Sequence, residues 1–457
     1  MSAILNREAK IPVLFLVMEF APVNTTGNFR TLKFIKHLGK QGIQSIVVTF
    51  VEEEAAKYFN AKLDESLLSD LPGDCIIYRI HCDDKTRFQH SRLGEFLMIY
   101  FSIKDSLAKR WRPHLMPEIG DIMQRHQPQV IFTSLPPYSA GLLSVELSKK
   151  FKIPLVVDMR DLWALFGVGP LGSRIHYWLT LQEERKIFKH ASAVLAVTPQ
   201  MIKTILRVHS GLDTRKFHYI SNGFDGELSA EGKFVFPGGK RKITIGYVGS
   251  FYFDPSKREA SFKPWWQKRW HKIFEYTPVK HDWLYRSPYF FLKTVAYLIE
   301  KHPALKDRLQ IEFVGTKPVW IDNMLTEFNL HGNFISHGFV SAQRSIELQQ
   351  NFDLLLATSE KIPGAEHYCL PSKVFDYVIQ RKPILAFVTE GIQKEFMIKS
   401  GLGVICDPDN VQESALTLFD LITNGRSFSP NGEYLETFKR SNLAKKLSDV
   451  FRTLVVE

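Results

Sequence analysis

The sequence predicts an α/β protein made of two doubly wound, Rossmann-like domains that face a cleft. Three observations carry this. The chain has 457 residues, more than one ordinary core accommodates. Short apolar runs alternate with amphipathic stretches, and the series runs through the chain twice. Between the two series lies NGFDGELSAEGKFVFPGGKRK, Asn222–Lys242, whose glycines, charges and turn residues read as a linker. The predicted units are 1–225, 242–430 with an insertion at 251–288, and 431–457, a final helix expected to pack back on the first domain.

In the first half the predicted strands are Pro12–Met18, Ser45–Phe50, Cys75–Ile80, Val130–Ser134, Leu155–Asp158, Ala193–Val197 and His218–Ile220. Most are continuous β-branched or leucine runs, as expected of strands covered on both faces of a parallel sheet. Asn28–Gln41, Ala140–Phe151 and Ser173–His190 read as helices between them. The first carries Phe29, Leu32, Ile35 and Leu38 on one stripe. In the second half the strands are Ile243–Val248, Leu309–Val314, Phe334–His337, Leu354–Ala357, Pro383–Val388 and Gly403–Ile405.

Composition narrows the partners. The formal charge is +11 and the pI about 9.2, which favours an anionic substrate or surface. Four cysteines, Cys75, Cys82, Cys369 and Cys406, lack metal or redox spacing, so a reducing compartment is expected. The N-terminus lacks a signal-peptide layout. No window reaches the roughly 18 uncharged apolar residues of a spanning helix, and the run Phe96–Ile103 is far shorter. A cytoplasmic protein follows as the expectation.

Ligands of such sheets bind beyond the carboxyl ends of the strands. After the first strand comes APVNTTGNFRTLKF, where Gly27 opens a loop, Asn28 is a candidate helix cap and Arg30 follows. The same residues also read as a turn glycine and a solvated arginine. This loop after the first strand has no GxGxxG, which argues against a dinucleotide-binding dehydrogenase. Asp158, Arg160 and Asp161 crowd the end of the fifth strand and must pair or face a polar cleft. Gly249 and Ser250 end the first strand of the second domain in a turn suited to an anion. Glu360, Lys361, Glu366 and His367 lie in the polar loop before LPSKVFDYVIQRKPIL, Leu370–Leu385.

In that last stretch Pro371 and Ser372 read as a helix start. Lys373 in the first turn opposes the helix dipole unless an anion docks there. Asp376, one turn on, suits ribose hydroxyls. Lys373 and Asp376 also read as a surface pair at i, i+3. The insertion holds Trp265, Trp266, Trp270 and Trp283, with eight Lys or Arg against four Asp or Glu. Such a mixture suits an anionic membrane interface or an aromatic subdomain with its own core. No recognised nucleic-acid module accompanies it.

Taken in order, the Gly27 loop, DMRDLW at Asp158–Trp163, ISNGFD at Ile220–Asp225, YVGSF at Tyr247–Phe251 and LPSKVFDYVIQRKPIL resemble the GT-B glycosyltransferases of family 4, of the bacterial cell-surface polysaccharide type. The resemblance covers most of the chain outside 251–288. It implies a retaining transfer from a nucleotide-sugar donor to a glycan or lipid-linked acceptor, with no metal and no further cofactor. The donor would lie on the second domain, against Gly249, Ser250, Lys257, Ser372, Lys373 and Asp376. The acceptor would lie on the first, near Gly27, Arg30 and Asp158, with Arg160, Asp161 and Glu366 as catalytic candidates. Asp376 replaces the ribose-binding Glu of a Glu-x7-Glu pattern, Tyr368 stands where the first Glu belongs, and Glu366 is its possible substitute. The expected location is the cytoplasmic face of the inner membrane, as a peripheral protein. A nucleotide-sugar epimerase and a non-catalytic binding protein of the same fold are the alternatives.

Overall fold

The computed structural model describes residues 10–82, 107–165, 170–228, 233–251 and 253–456. The first nine residues and the run Phe96–Ile103 lie outside them. Two parallel sheets organise the chain. The first contains β1 (Ile11–Leu16), β2 (Ile43–Phe50), β3 (Ile76–Ile80), β4 (Val130–Leu135), β5 (Leu155–Met159), β6 (Ala193–Ala196) and β7 (Phe217–Tyr219), in the order β3-β2-β1-β4-β5-β6-β7. The second contains β8 (Ile243–Val248), β9 (Leu309–Val314), β10 (Phe334–Ser336), β11 (Leu354–Thr358), β12 (Ile384–Phe387) and β13 (Gly403–Cys406), in the order β10-β9-β8-β11-β12-β13. These are two doubly wound domains. In each, strand order reverses beside the first strand, between β1 and β4 and between β8 and β11. Crevices open at such switch points.

The apolar runs become central strands because both faces are covered. Val13 to Leu16 and Val130 to Phe132 are fully buried. The helix after β1 spans Thr26–Leu38 and buries Leu32, Phe34, Ile35 and Leu38. Its cap is Thr25, whose hydroxyl accepts from the Asn28 N–H. Asn28 is therefore not the cap; it lies inside the helix and donates to the Val23 carbonyl at 2.9 Å.

Three features lie beyond the simple alternation. Within the linker, Phe234–Phe236 pairs antiparallel with Arg426–Phe428. The last helix, Arg440–Val456, crosses to the first sheet, where Leu443, Ala444, Leu447 and Phe451 are buried. Phe451 meets Phe15 and Phe132 edge-on, at 6.3 and 6.1 Å. The insertion forms a short helix, Pro255–Phe262, and two single turns, Trp265–Gln267 and Trp270–Lys272. It then reaches the first domain, where Leu171 and Tyr276 exchange two backbone hydrogen bonds of 2.9 Å.

Candidate active site

The carboxyl ends of the two sheets meet. The Thr198 hydroxyl, just beyond β6, donates to the Tyr368 carbonyl at 2.7 Å. Asp161, beyond β5, feels the charges of Arg286 and Glu360 from the second domain.

On the first domain, Arg30 and Asp158 are spent on each other. Asp158 is fully buried, and Arg30 donates to its two oxygens at 2.9–3.2 Å. Ser134 donates to Asp158 at 2.8 Å, and Arg30 also reaches the Ile220 and Ser221 carbonyls. This lock ties the helix Thr26–Leu38, β5 and the Ile220–Ser221 segment together. It corrects the reading of Arg30 as solvated, and it leaves neither Arg30 nor Asp158 presented to an acceptor.

Arg160 is held in a similar way. It pairs with Glu19 at 3.0 Å and donates to the Pro136 carbonyl. Gly27 makes room for this pair: a Cβ there would lie 1.9 Å from Glu19 Oε1 and 2.1 Å from Arg160 Nη1. Gly27 and Arg160 thus build the wall at the β1–β4 switch point. Asp161 differs. It is half-buried, and burial raises its carboxyl above the ordinary value, with Arg160 and Arg286 countering and Glu360 adding. Beside it, Tyr138 stacks on Trp163 with centroids 5.1 Å apart.

On the second domain, Gly249 ends β8 at φ +115°. Gly315 ends β9 at φ +138°, and a Cβ there would meet the Gly249 carbonyl oxygen at 2.5 Å. Both turns require glycine. Ser250 is exposed, and its carbonyl accepts from the Tyr247 hydroxyl at 3.1 Å. A Cβ on Gly249 would lie 3.4 Å from Lys373 Nζ. That ammonium sits 4.0 Å from the Tyr247 ring centroid and donates to the Tyr247 hydroxyl. Burial, then the Arg286 charge, hold it well below the ordinary lysine range. The charged neighbour that Lys373 feels is thus a second cation.

Arg286 is fixed from behind. Its guanidinium donates to Glu360 at 3.1 Å. Glu360 is buried and also ion-pairs with His367 at 3.0 Å. Although burial opposes it, the His367 and Arg286 charges hold the Glu360 carboxyl far below its usual range. His281 lies 4.0 Å from the same carboxylate, and burial lowers its imidazole to about 4. Glu360, His367 and Cys369 bring ligand-type atoms within 4.8 Å of one another. The Arg286 guanidinium, however, already takes that carboxylate, and its charge opposes a dication.

The remaining predicted residues fall into place differently. Ser372 has helical φ and ψ and makes no side-chain cap, and the helix Lys373–Ile379 is only seven residues long. The anion argument therefore rests on the Lys373 charge rather than on a capped terminus. Asp376 is open to solvent yet packed round by protein, which raises its carboxyl; no ion pair joins it to Lys373 among the described residues. Lys257 is exposed and sits 4.0 Å from Asp254. Its neighbour Arg258 is bound bidentately by Asp282 at 2.6 and 2.7 Å. Neither is brought to Lys373. Glu366 is exposed, and the carboxylate that the loop buries is Glu360. Glu19 and Arg286 were missed, and Glu360 was placed in the polar loop without being singled out. Glu19 was visible as the one acid in VLFLVMEF, Val13–Phe20. Arg286 was hidden because the insertion separates it from β8.

This arrangement, two doubly wound domains with a cationic pair at one switch point and a carboxylate opposite, defines a GT-B fold. Residues 29–223 match the family described as glycosyl transferase 4-like domain. That domain takes up most of the first half of the chain, and the chain as a whole has the fold of GT-B glycosyltransferases. No curated protein matches the sequence. Solved structures share the fold at low identity. Sucrose-phosphate synthase from Thermosynechococcus elongatus is 13% identical with TM-score 0.60, covering 98% of this chain and 100% of that one. WaaG, a glycosyltransferase involved in lipopolysaccharide biosynthesis, is 13% identical with TM-score 0.54, covering 96% and 99%. The N-terminal domain of Candida albicans trehalose-6-phosphate phosphatase is 11% identical with TM-score 0.59, covering 97% of each.

Proposed function

We propose that the protein is a retaining glycosyltransferase that uses a nucleotide-sugar donor and a glycan or lipid-linked acceptor in cell-surface polysaccharide synthesis. The observation that carries this reading is Lys373, a half-buried lysine against the Gly249 turn whose charged neighbour is the Arg286 cation. Two basic groups gathered in a partly buried site call for an anion, and a donor diphosphate supplies one. Lys373 and Arg286 then stabilise the charge that develops as the sugar–phosphate bond breaks. The Gly249 turn lets the phosphates approach the backbone, and Asp376 accepts from ribose hydroxyls. The acceptor oxygen bonds the anomeric carbon from the face the diphosphate leaves, and its proton departs with the diphosphate. Asp161, across the cleft, orients that hydroxyl.

The basic, aromatic insertion and the involvement of WaaG in lipopolysaccharide biosynthesis favour a peripheral position on the cytoplasmic membrane face. Among the described residues no helix is long and apolar enough to cross a membrane. Calorimetry with a panel of nucleotide sugars tests the reading. Binding by the wild type that Lys373→Met weakens at least tenfold supports it. No binding across the panel sinks it, and turnover without an acceptor moves the assignment to an epimerase.

A further inference from the structure

We infer that the insertion and the exposed face of the helix Arg174–His190 form one membrane-docking surface, fitted to an anionic bilayer and spanning both domains. The surface extends the membrane reading made above for the insertion alone. Trp265, Trp266, Trp270 and Phe274 are 67%, 67%, 80% and 60% exposed. On the first domain Ile175 and Trp178 are 49% and 57% exposed. Tyr276 joins the two groups. Its ring lies 5.2 Å from that of Tyr177, and the Arg174 guanidinium sits over it at 5.3 Å. Soluble surfaces rarely gather large apolar side chains this way without a partner.

Charge selects the partner. The segment Lys263–Phe274 contains Lys263, Lys268, Arg269 and Lys272 and no Asp or Glu. Although the flanking Glu259 and Glu275 pair with Lys263, Lys268 and Lys272 at 3.5–3.6 Å, the tip keeps a positive excess. Two copies meeting through this tip would oppose like charges, whereas anionic headgroups complement it. Tryptophan suits the same boundary, with an apolar ring and a polar N–H. The insertion leaves the second sheet beyond Gly249 and returns at Arg286, so its root lies in the cleft while its tip carries the aromatic face. A bilayer held there brings a lipid-linked acceptor to the cleft.

Vesicle flotation of the full chain tests this, with phosphatidylcholine alone and mixed with phosphatidylglycerol. The variants are Trp265→Ser/Trp266→Ser/Trp270→Ser and, separately, Ile175→Ser/Trp178→Ser, with melting curves confirming that each is folded. The wild type is expected to float with the anionic vesicles and not with the neutral ones, and each variant to lose about tenfold or more of that partitioning. Loss in the insertion variant alone overturns the two-domain surface. Equal flotation of all three proteins overturns the docking surface itself. A dimer dispersed by the same substitutions, without vesicle binding, reassigns the face to a second copy and overturns it too. Nucleotide-sugar calorimetry on the same proteins separates this result from the transferase reading, because loss of donor binding leaves the flotation outcome standing.

Discussion

Lys373 shows how a single side chain can be costly alone and useful with its ligand. Its ammonium is held well below the ordinary range, so the unfolded chain binds more protons between that value and about 10.4. Stability therefore rises with pH across that window. Lys373→Met is expected to raise the melting temperature of the ligand-free protein while weakening donor binding about 10- to 150-fold, the value of one charged hydrogen bond. His281 gives a second pH signature. Its imidazole is lowered to about 4, so folding keeps neutral a group that the unfolded chain protonates near 6.5. Stability is full above 6.5 and falls as pH drops toward 4. His281→Phe is expected to flatten that limb of the urea midpoint against pH. Lys373 was legible from its place in LPSKVFDY. The Arg30–Asp158 lock was not, because 128 positions separate its partners and only tertiary packing joins them.

Strands and turns were the most legible elements. Each predicted strand of the two sheets has an observed counterpart, because runs covered on both faces carry a continuous apolar signal. Ends moved by one or two residues, as at Ile11–Leu16 against the predicted Pro12–Met18. The helix cap shifted from Asn28 to Thr25 because Asn28 found a buried backbone acceptor instead. The glycine after β8 read as a turn, but its contact with Gly315 after β9 did not show in the sequence. Gly315→Ala would place a Cβ 2.5 Å from the Gly249 carbonyl oxygen at a φ of +138°. Such strain costs about 1–3 kcal/mol. A lower urea midpoint, accompanied by weaker nucleotide binding because the Gly249 turn shifts, is the expected result.

At the scale of the molecule, the doubled alternation announced two domains, while two long-range connections stayed hidden. The pairing of Phe234–Phe236 with Arg426–Phe428 joins the linker to a short strand near the C-terminus, and neither segment has a strong pattern of its own. The insertion's contact with Leu171 is likewise a backbone match. The last helix was expected to return to the first domain, and its buried residues show how strongly it is held. Leu443, Leu447 and Phe451 are each at most 3% exposed. Burying one such side chain contributes about 1.5–3 kcal/mol, and whole domains are stable by about 5–15 kcal/mol. Removing residues 440–456 is therefore expected to unfold the first domain or leave it aggregation-prone, detected as loss of its cooperative melting transition and protease resistance.

That helix also sets a timetable for synthesis. Domains usually fold as units as the chain leaves the ribosome, the N-terminal one first. Here the apolar surface around Phe15, Phe132 and Ile35 is covered by Phe451 and its neighbours, which are made only after the second domain. The first domain must wait, incompletely covered, while the entire second domain is translated. A nascent chain halted before residue 440 would expose that surface to chaperones, and emergence of the helix Arg440–Val456 would complete the first domain's core.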